Sequence, residues 1–498
     1  MLIIERPAAY FEVHRLPIVL DTQDGETRII RRVALSDLLT EFDERISSEL
    51  NMDPLGLQVI WSAYGQKIFR NRISSISNDV RNYTLNLFNH RVTKALVDDD
   101  AVQLGKGLQQ DKAYAGRGKD STAFKQACLI YLENLFTFAM VEAQAQNNVE
   151  TAGVLGISKA RRRWEETKGN PRLVFSPSAR AHVLVRQNSL GVSGRYKTPL
   201  VEMDFFDGSY DYALPASRPQ WLKAQAQLFA QGKPLAHLQA LLHGHLAKLL
   251  ADPRREPELN FTELPAELKQ AFVEAFRSPT RVGAYARDLW LGVTELDQGA
   301  PGALYEELKQ EWLPDGQVLE RPTEQVFALA VGRASLAAGD RDKLERVRLL
   351  EPFLAELELL MGVMLSAKSQ SVNEVLAGWT SLGRDEAVLP QLAMPIERDV
   401  TMRSQVSGTA AERLTELLAL ARSNSVQQQV ERLLKYHEKV MEARGQSPWL
   451  RLLNGSQLKI DVRTRKLPAK EDRPVGTWVH QYYVPQFRHL LSGMRGLA

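Results

Sequence analysis

The stretch Phe124-Lys-Gln-Ala-Cys-Leu-Ile-Tyr-Leu-Glu-Asn-Leu-Phe-Thr-Phe-Ala-Met140 decides the fold class of this chain. Its apolar residues predict a long helix over roughly 121–147. Between about 216 and 400, prolines separate segments of about 10 to 25 residues, the size of packed helices. We therefore predict a mainly α, multi-domain helical protein. A further helix is predicted upstream, where one apolar face is formed by Ile73, Ile76, Val80, Tyr83, Leu87, Val92 and Leu96.

Small β elements are expected at both termini. Residues 11–20 and 27–33 predict a strand pair around a turn, and Ser36 is a candidate cap for a helix through Ile46. Near the other end, residues 449–463 predict a hairpin around Asn454-Gly455, because Asn-Gly tolerates the positive φ of tight turns. Thr409 and Glu412 have capping-box spacing, which predicts one helix from there to about Arg444.

Length and composition limit the class of protein. The 498 residues, 44% hydrophobic and 25% charged, suggest a globular protein of several domains. We divide the chain into 1–118, 119–215, 216–400 and 401–498. No apolar run is long enough for a membrane span and no secretory signal is recognised, so we expect a cytoplasmic protein. Cys128 is the only cysteine, which excludes an internal disulfide and a multi-cysteine metal site.

Positive charge is concentrated in two stretches. Residues 151–200 contain ten Lys or Arg against two acidic residues, a net of +8, although the whole chain is only +3. Residues 451–498 contain nine cations against three acids, a net of +6. Such clustering is typical of surfaces that bind the phosphates of nucleic acids.

The sharpest local pattern is the run from Ala152 to Trp164, which includes Gly156, Ser158 and three consecutive arginines. It resembles the middle of a helix-turn-helix, and with the basic segment 182–199 it predicts a winged-helix-like module over roughly 145–215. The alternative is a solvated basic helix end. The predicted nucleic-acid-binding residues are Lys159, Arg161, Arg162, Arg163, Lys168, Arg172, Arg186, Arg195, Lys197, Lys459, Arg463, Arg465 and Lys466.

Enzyme chemistry is less well supported by the sequence. Lys119 lies in a Gly-containing segment that lacks the spacing of a phosphate loop, and His237, His243 and His245 lack a helical metal-ligand spacing. Carboxylates at Asp204, Asp207 and Asp211, or Asp461 alone, leave a metal-dependent nuclease as an alternative. A second alternative is a protein-only adaptor.

We therefore expect a nonenzymatic subunit without a cofactor that binds nucleic acid, duplex DNA with weak sequence preference. Its other partners would be protein subunits of a larger bacterial complex, in phage defence or a mobile-element system.

Overall fold

The computed structural model describes two short strands at 17–21 and 27–31 and then residues 53–114, 116–147, 149–313 and 317–495. These residues are mainly helical. The strands are β1 (Pro17–Asp21), β2 (Thr27–Arg31), β3 (Arg172–Val174), β4 (Glu258–Asn260), β5 (Ser369–Ser371), β6 (Leu450–Leu453) and β7 (Gln457–Ile460). The helices are α1 (Leu57–Phe69), α2 (Val80–Asp98), α3 (Lys106–Gln109), α4 (Thr122–Asn147), α5 (Ile157–Glu166), α6 (Gln187–Leu190), α7 (Val192–Arg195), α8 (Lys197–Glu202), α9 (Ser217–Ala224), α10 (Pro234–Leu250), α11 (Ala266–Phe276), α12 (Pro279–Thr294), α13 (Gly299–Lys309), α14 (Thr323–Val331), α15 (Ala338–Met364), α16 (Val372–Ser381), α17 (Val388–Arg398), α18 (Gly408–Ala421), α19 (Val426–Ala443) and α20 (Val484–Met494).

The described chain forms two compact units, each assembled from separate segments. The first unit contains 74–294 and 486–495, and the second contains 53–73 and 295–485. None of the described helices combines the length and apolar character needed to span a membrane. The predicted division into four segments stays a prediction, as does the winged-helix-like module.

The first unit is built around α4. This helix packs against α2, α5 and α11, and its middle is buried on all sides, which explains the nearly continuous apolar run from Phe124 to Met140. Aromatic rings fill the space between the helices: Phe136 lies 5.8 Å from Phe272 and 5.3 Å from Phe276. Cys128 is buried here as a free thiol. The predicted helix over 121–147 is therefore confirmed.

The start of α2 differs from the prediction. Ile73 and Ile76 continue the apolar pattern but precede the helix, which begins at Val80. Asp79 is the N-cap, and its Oδ1 accepts a hydrogen bond from the backbone N–H of Arg81 at 2.8 Å. The capping side chain sets this boundary, because it satisfies an amide that the first turn leaves without a helical partner.

The second unit is built around α15, which packs against α1, α14 and α17. A three-stranded antiparallel sheet in the order β5-β7-β6 belongs to the same unit. The predicted hairpin is confirmed: Asn454 and Gly455 have φ of 50° and 71°, and they connect β6 to β7. Leu458 and Ile460 are buried on one face of the sheet.

One predicted helix is wrong. Instead of a single helix from Thr409 to Arg444, the chain forms α18 and α19 with a break at 422–425. Ser425 starts α19, because its side chain accepts a hydrogen bond from the N–H of Gln428. Ser407, rather than Thr409, precedes α18. The predicted N-terminal strands are present as β1 and β2, paired antiparallel, and the helix predicted from Ser36 lies outside the described residues.

Candidate nucleic-acid interface

The basic helix α5 has a buried face and an exposed face. Ile157 and Ala160 are buried, and the ring of Trp164 packs edge-on against Phe261 at 5.2 Å. Gly156 precedes the helix at φ 82°, beside the side chain of Leu184. The helix is therefore anchored in the first unit along one face, with its opposite face toward solvent.

The three consecutive arginines of α5 have different surroundings. Arg161 donates from Nη2 to the side-chain oxygens of Gln144 at 3.0 Å and Thr151 at 3.1 Å, so its guanidinium is held against the protein. Arg162 pairs with Glu166, one turn later, at 3.0 Å. Arg163 is exposed, and within the described residues no acidic side chain pairs with it. Helical spacing separates these roles, since adjacent residues point about 100° apart.

The other cations of this stretch also differ in exposure and in their hydrogen-bond partners. Lys159 is half-buried. Lys168 and Arg186 are exposed, and neither has an acidic partner in the described part of the chain. Both have positive φ, at 51° and 54°. Arg195 donates from Nε to the carbonyl of Leu190 at 3.0 Å.

Lys197 is directed toward its own loop. Its Nζ donates to the carbonyl oxygen of Gly208 and lies 4.2 Å from the centre of the Tyr210 ring. Partial burial lowers the pKa of this ammonium. Lys197 is therefore a loop anchor more than an extended surface charge.

Two glutamates from a distant part of the sequence neutralise part of the first basic stretch. Strand β4 pairs with β3 and brings Glu258 opposite Val174. Glu258 pairs with Arg172 at 3.3 Å and with Arg180 at 2.8 Å, and Glu256 pairs with Arg180 at 2.6 Å. The local excess of positive charge is therefore smaller than the sequence count of +8 indicates.

The second basic stretch begins on the sheet of the second unit and continues into the segment after β7. Lys459 is on the exposed face of β7, directly opposite Arg451 on β6. Arg451 pairs with Asp461 at 3.4 Å, and Arg465 pairs with Glu358 at 2.8 Å. The exposed cations Lys459, Arg463 and Lys466 have no acidic partner among the residues that the structure describes.

Two acidic side chains after the first basic stretch, Asp207 and Asp211, accept hydrogen bonds from the backbone of their own loop. Asp207 Oδ1 accepts hydrogen bonds from the N–H groups of Ser209 at 2.8 Å and Asp211 at 2.9 Å, and these bonds lower its pKa. Asp211 in turn caps the N–H of Ala213, and Asp204 has φ 59°. Within the described ranges, no group of three or more His, Cys, Asp or Glu is arranged to hold a metal ion.

The histidines and Lys119 are engaged locally. His243 Nε2 lies 3.1 Å from Asp99 Oδ2, and His237 lies 3.4 Å from Glu267. His245 shares a hydrogen bond of 2.8 Å with the Tyr131 hydroxyl, and burial lowers its pKa to about 4. Lys119 donates to the carbonyl of Asp99. These contacts separate the three histidines instead of bringing them to one site.

A buried carboxylate in the second unit, Glu351, is the centre of a polar cluster that no sequence pattern indicates. Glu351 accepts from the N–H groups of Val479 at 2.7 Å and His480 at 2.8 Å, and from the Tyr482 hydroxyl at 2.9 Å. Burial raises the pKa of Glu351 to about 7. His480 stacks on Trp61 at 4.9 Å, and burial lowers its pKa to about 3.

These three donors belong to the segment 479–482, and Glu351 belongs to α15. The hydrogen bonds therefore fix this segment against α15. No sequence motif connects residues about 130 positions apart, so spacing alone does not reveal this cluster.

Comparisons with known proteins provide no relative: no family model, no curated protein and no solved structure matches this chain.

Proposed function

We propose that this protein is a nonenzymatic nucleic-acid-binding subunit that contacts the phosphates of duplex DNA with weak sequence preference. The observation that carries the proposal is the set of exposed cations in the first unit, Arg163, Lys168 and Arg186, which have no acidic partner in the described chain. Unpaired cations can neutralise phosphates and release counterions, whereas an ion-paired arginine must first lose its carboxylate partner.

The three unpaired cations lie on α5 or near its ends. The side chain of Leu184 is beside Gly156 at the start of α5, and Arg186 is two residues after Leu184 in the chain. Arg163 is on the exposed face, and Lys168 follows the carboxy-terminal end. In a helix-turn-helix interpretation, α5 is the recognition helix, and Arg162 and Arg163 are the residues that face the groove.

Strand β7 and the segment that follows it form the second proposed contact surface. Lys459, Arg463 and Lys466 contribute three cations to it, and phosphate contacts of this type carry affinity without reading base sequence. The proposal also retains the expected setting, a cytoplasmic bacterial complex whose other subunits perform the chemistry.

The test replaces Arg163, Lys168 and Arg186 together by Gln and measures binding to a fluorescent DNA duplex over a range of salt concentrations. Each lost phosphate contact reduces the slope of log K against log salt by about 0.9, so the slope should fall by up to about three. Affinity should fall by a similar factor for duplexes of different sequence.

The control is a variant of equal net charge in the same unit, with Lys248, Arg281 and Arg287 replaced by Gln. These residues are also exposed, so general long-range attraction is reduced equally. Equal slopes for the two variants, or a wild-type protein that does not bind duplex DNA, would overturn the proposal.

A further inference from the structure

A second candidate site lies in the first unit, in an open pocket between α2 and the segment that leads into α9. Its volume is about 440 Å³, within the range of small-molecule sites. Three cations line it, Arg91, Lys94 and Arg218, together with the side chains of Tyr212, Trp221 and Leu222. We call it the Arg91 pocket.

The apolar wall of the Arg91 pocket is held in place from behind. The Tyr212 hydroxyl shares a hydrogen bond of 2.8 Å with His90 Nδ1, and Trp221 Nε1 donates to the carbonyl of Phe205 at 2.8 Å. Both polar ends are thus satisfied inside the protein, and the rings cannot turn away without losing these bonds. Leu222 is 62% exposed and adds an accessible apolar side chain to this wall.

The cationic side of the pocket is partly preorganised. Arg91 donates from Nη2 to the side-chain oxygen of Gln225 at 2.7 Å, while its Nε is buried without a hydrogen-bond partner in the described residues. Burial lowers the pKa of Arg91. Gln225 begins a π-helical turn, Gln225–Phe229, a rare local structure that often occurs at functional sites.

Charge balance indicates the class of ligand. Lys94 pairs with Asp98 at 2.5 Å, and the Asp98 carboxylate also attracts Arg91, so three cations face one carboxylate and the pocket keeps a net of two positive charges. Asp211 precedes Tyr212 in the chain but is not among the lining residues, and its Oδ1 accepts from Ala213. Two guanidinium groups match a phosphate monoester, which has a charge of about −2 near neutral pH, better than a carboxylate of charge −1.

We propose that the Arg91 pocket binds a phosphate monoester that carries a flat aromatic ring, the chemistry of a nucleotide. The phosphate contacts Arg91 and Arg218, and the face of the aromatic ring lies against Leu222 and the ring edges of Tyr212 and Trp221. This site uses none of the residues assigned to duplex binding, so the two proposals can fail independently. The nucleotide can be a free one or the terminal nucleotide of a single strand.

The experiment measures binding to the full chain by calorimetry. The common nucleoside 5′-monophosphates are titrated separately, each beside its unphosphorylated nucleoside, and a 5′-phosphorylated single strand is titrated beside its 5′-hydroxyl form. Removing the phosphate should weaken binding at least about tenfold, since hydrogen bonds to charged groups are the strong ones. Preference for the free monophosphate or for the strand then identifies the source of the ligand.

The decisive variant is Arg218→Gln, because Arg218 is exposed and its replacement does not disturb the core. It should weaken monophosphate binding about tenfold, and Arg91→Gln should do the same, provided that its circular dichroism spectrum and melting remain those of the wild type. Arg287→Gln, an exposed arginine of the same unit outside the pocket, should bind like the wild type.

The proposal is wrong if no monophosphate and no phosphorylated strand binds, if nucleoside and monophosphate bind equally, or if Arg218→Gln binds as well as Arg287→Gln.

Discussion

The two basic stretches have a similar excess of positive charge but different neighbours. In the first unit, β3 pairs with β4, and β4 brings Glu258 beside Arg172 and Arg180. In the second unit, β7 lies between β5, which contributes three uncharged residues, and β6, which places Arg451 opposite Lys459. The partner strand therefore supplies a carboxylate to the cations of β3 but none to Lys459.

This difference shows that the partner strand decides how much of a basic stretch is available to a ligand. Exposed ion pairs are weak individually, yet in each of them a carboxylate occupies the position beside the cation that a DNA phosphate would need. The formal charges, +8 and +6, rank the first stretch above the second. Acids from outside the stretches narrow this difference, because in the described residues Glu256 and Glu258 pair with cations of the first stretch and Glu358 pairs with a cation of the second.

The largest effect is expected from the sheet of the second unit. Replacing Lys459, Arg463 and Lys466 together by Gln should lower affinity for duplex DNA by a factor on the order of 10² at low salt, with a loss of up to about three in the salt slope. Fluorescence anisotropy over a salt series measures both quantities.

The matched control in the same unit replaces by Gln the cations Arg348, Arg422 and Lys439, which are paired with Glu345, Glu397 and Glu416 and lie outside the basic stretch. It removes the same formal charge and should cost much less affinity. An equal loss in both variants would mean that net charge, and not these three unpaired cations, attracts the DNA.

A smaller effect, of opposite sign, is expected from the first unit. Replacing Glu256 and Glu258 by Gln releases Arg172 and Arg180 from their ion pairs, so affinity should rise about tenfold and the salt slope should steepen by up to about two. The same binding assay checks this.

Glu263→Gln combined with Glu274→Gln is the control, because it also removes two acids from this unit but leaves the three ion pairs of Arg172 and Arg180 intact. If the control raises affinity as much, the carboxylates of Glu256 and Glu258 have no special role.

The smallest effect separates two neighbouring arginines of α5. Arg163→Gln should weaken DNA binding about fivefold, from the loss of one phosphate contact, without changing stability. Arg161→Gln should leave binding nearly unchanged but lower the free energy of unfolding by about 1 kcal/mol, since its bonds to Gln144 and Thr151 are lost.

Urea unfolding and anisotropy on the same samples distinguish the two arginines. The opposite assignment of effects would show that α5 contacts DNA through the face that holds Arg161.

Local patterns predicted the fold where a single segment contains all the information. The apolar run of α4 predicted its own burial, and Asn454-Gly455 predicted the turn between β6 and β7. Boundaries were less predictable, because a capping side chain such as Asp79 or Ser425 ends an apolar pattern that would otherwise continue. The single helix expected after Thr409 was wrong for this reason.

The candidate sites depended on contacts between distant residues. The pairs Arg172–Glu258 and Arg465–Glu358 join residues about 90 and 110 positions apart, and the Arg91 pocket joins α2 to α9. Contacts between residues so far apart follow no helical or strand period. They could therefore not be predicted from the spacing of residues in the sequence.

The sequence by itself determined the helical character of the protein, the apolar core helix and the positions of the two basic stretches, because helix formation and local charge depend on neighbouring residues. Only the tertiary structure decided which cations remain available. Coulomb attraction and hydrogen bonding act over a few ångströms, and the fold alone brings Glu258 to Arg172 while it places Lys459 between Ser369 and Arg451, with no carboxylate partner in the described residues.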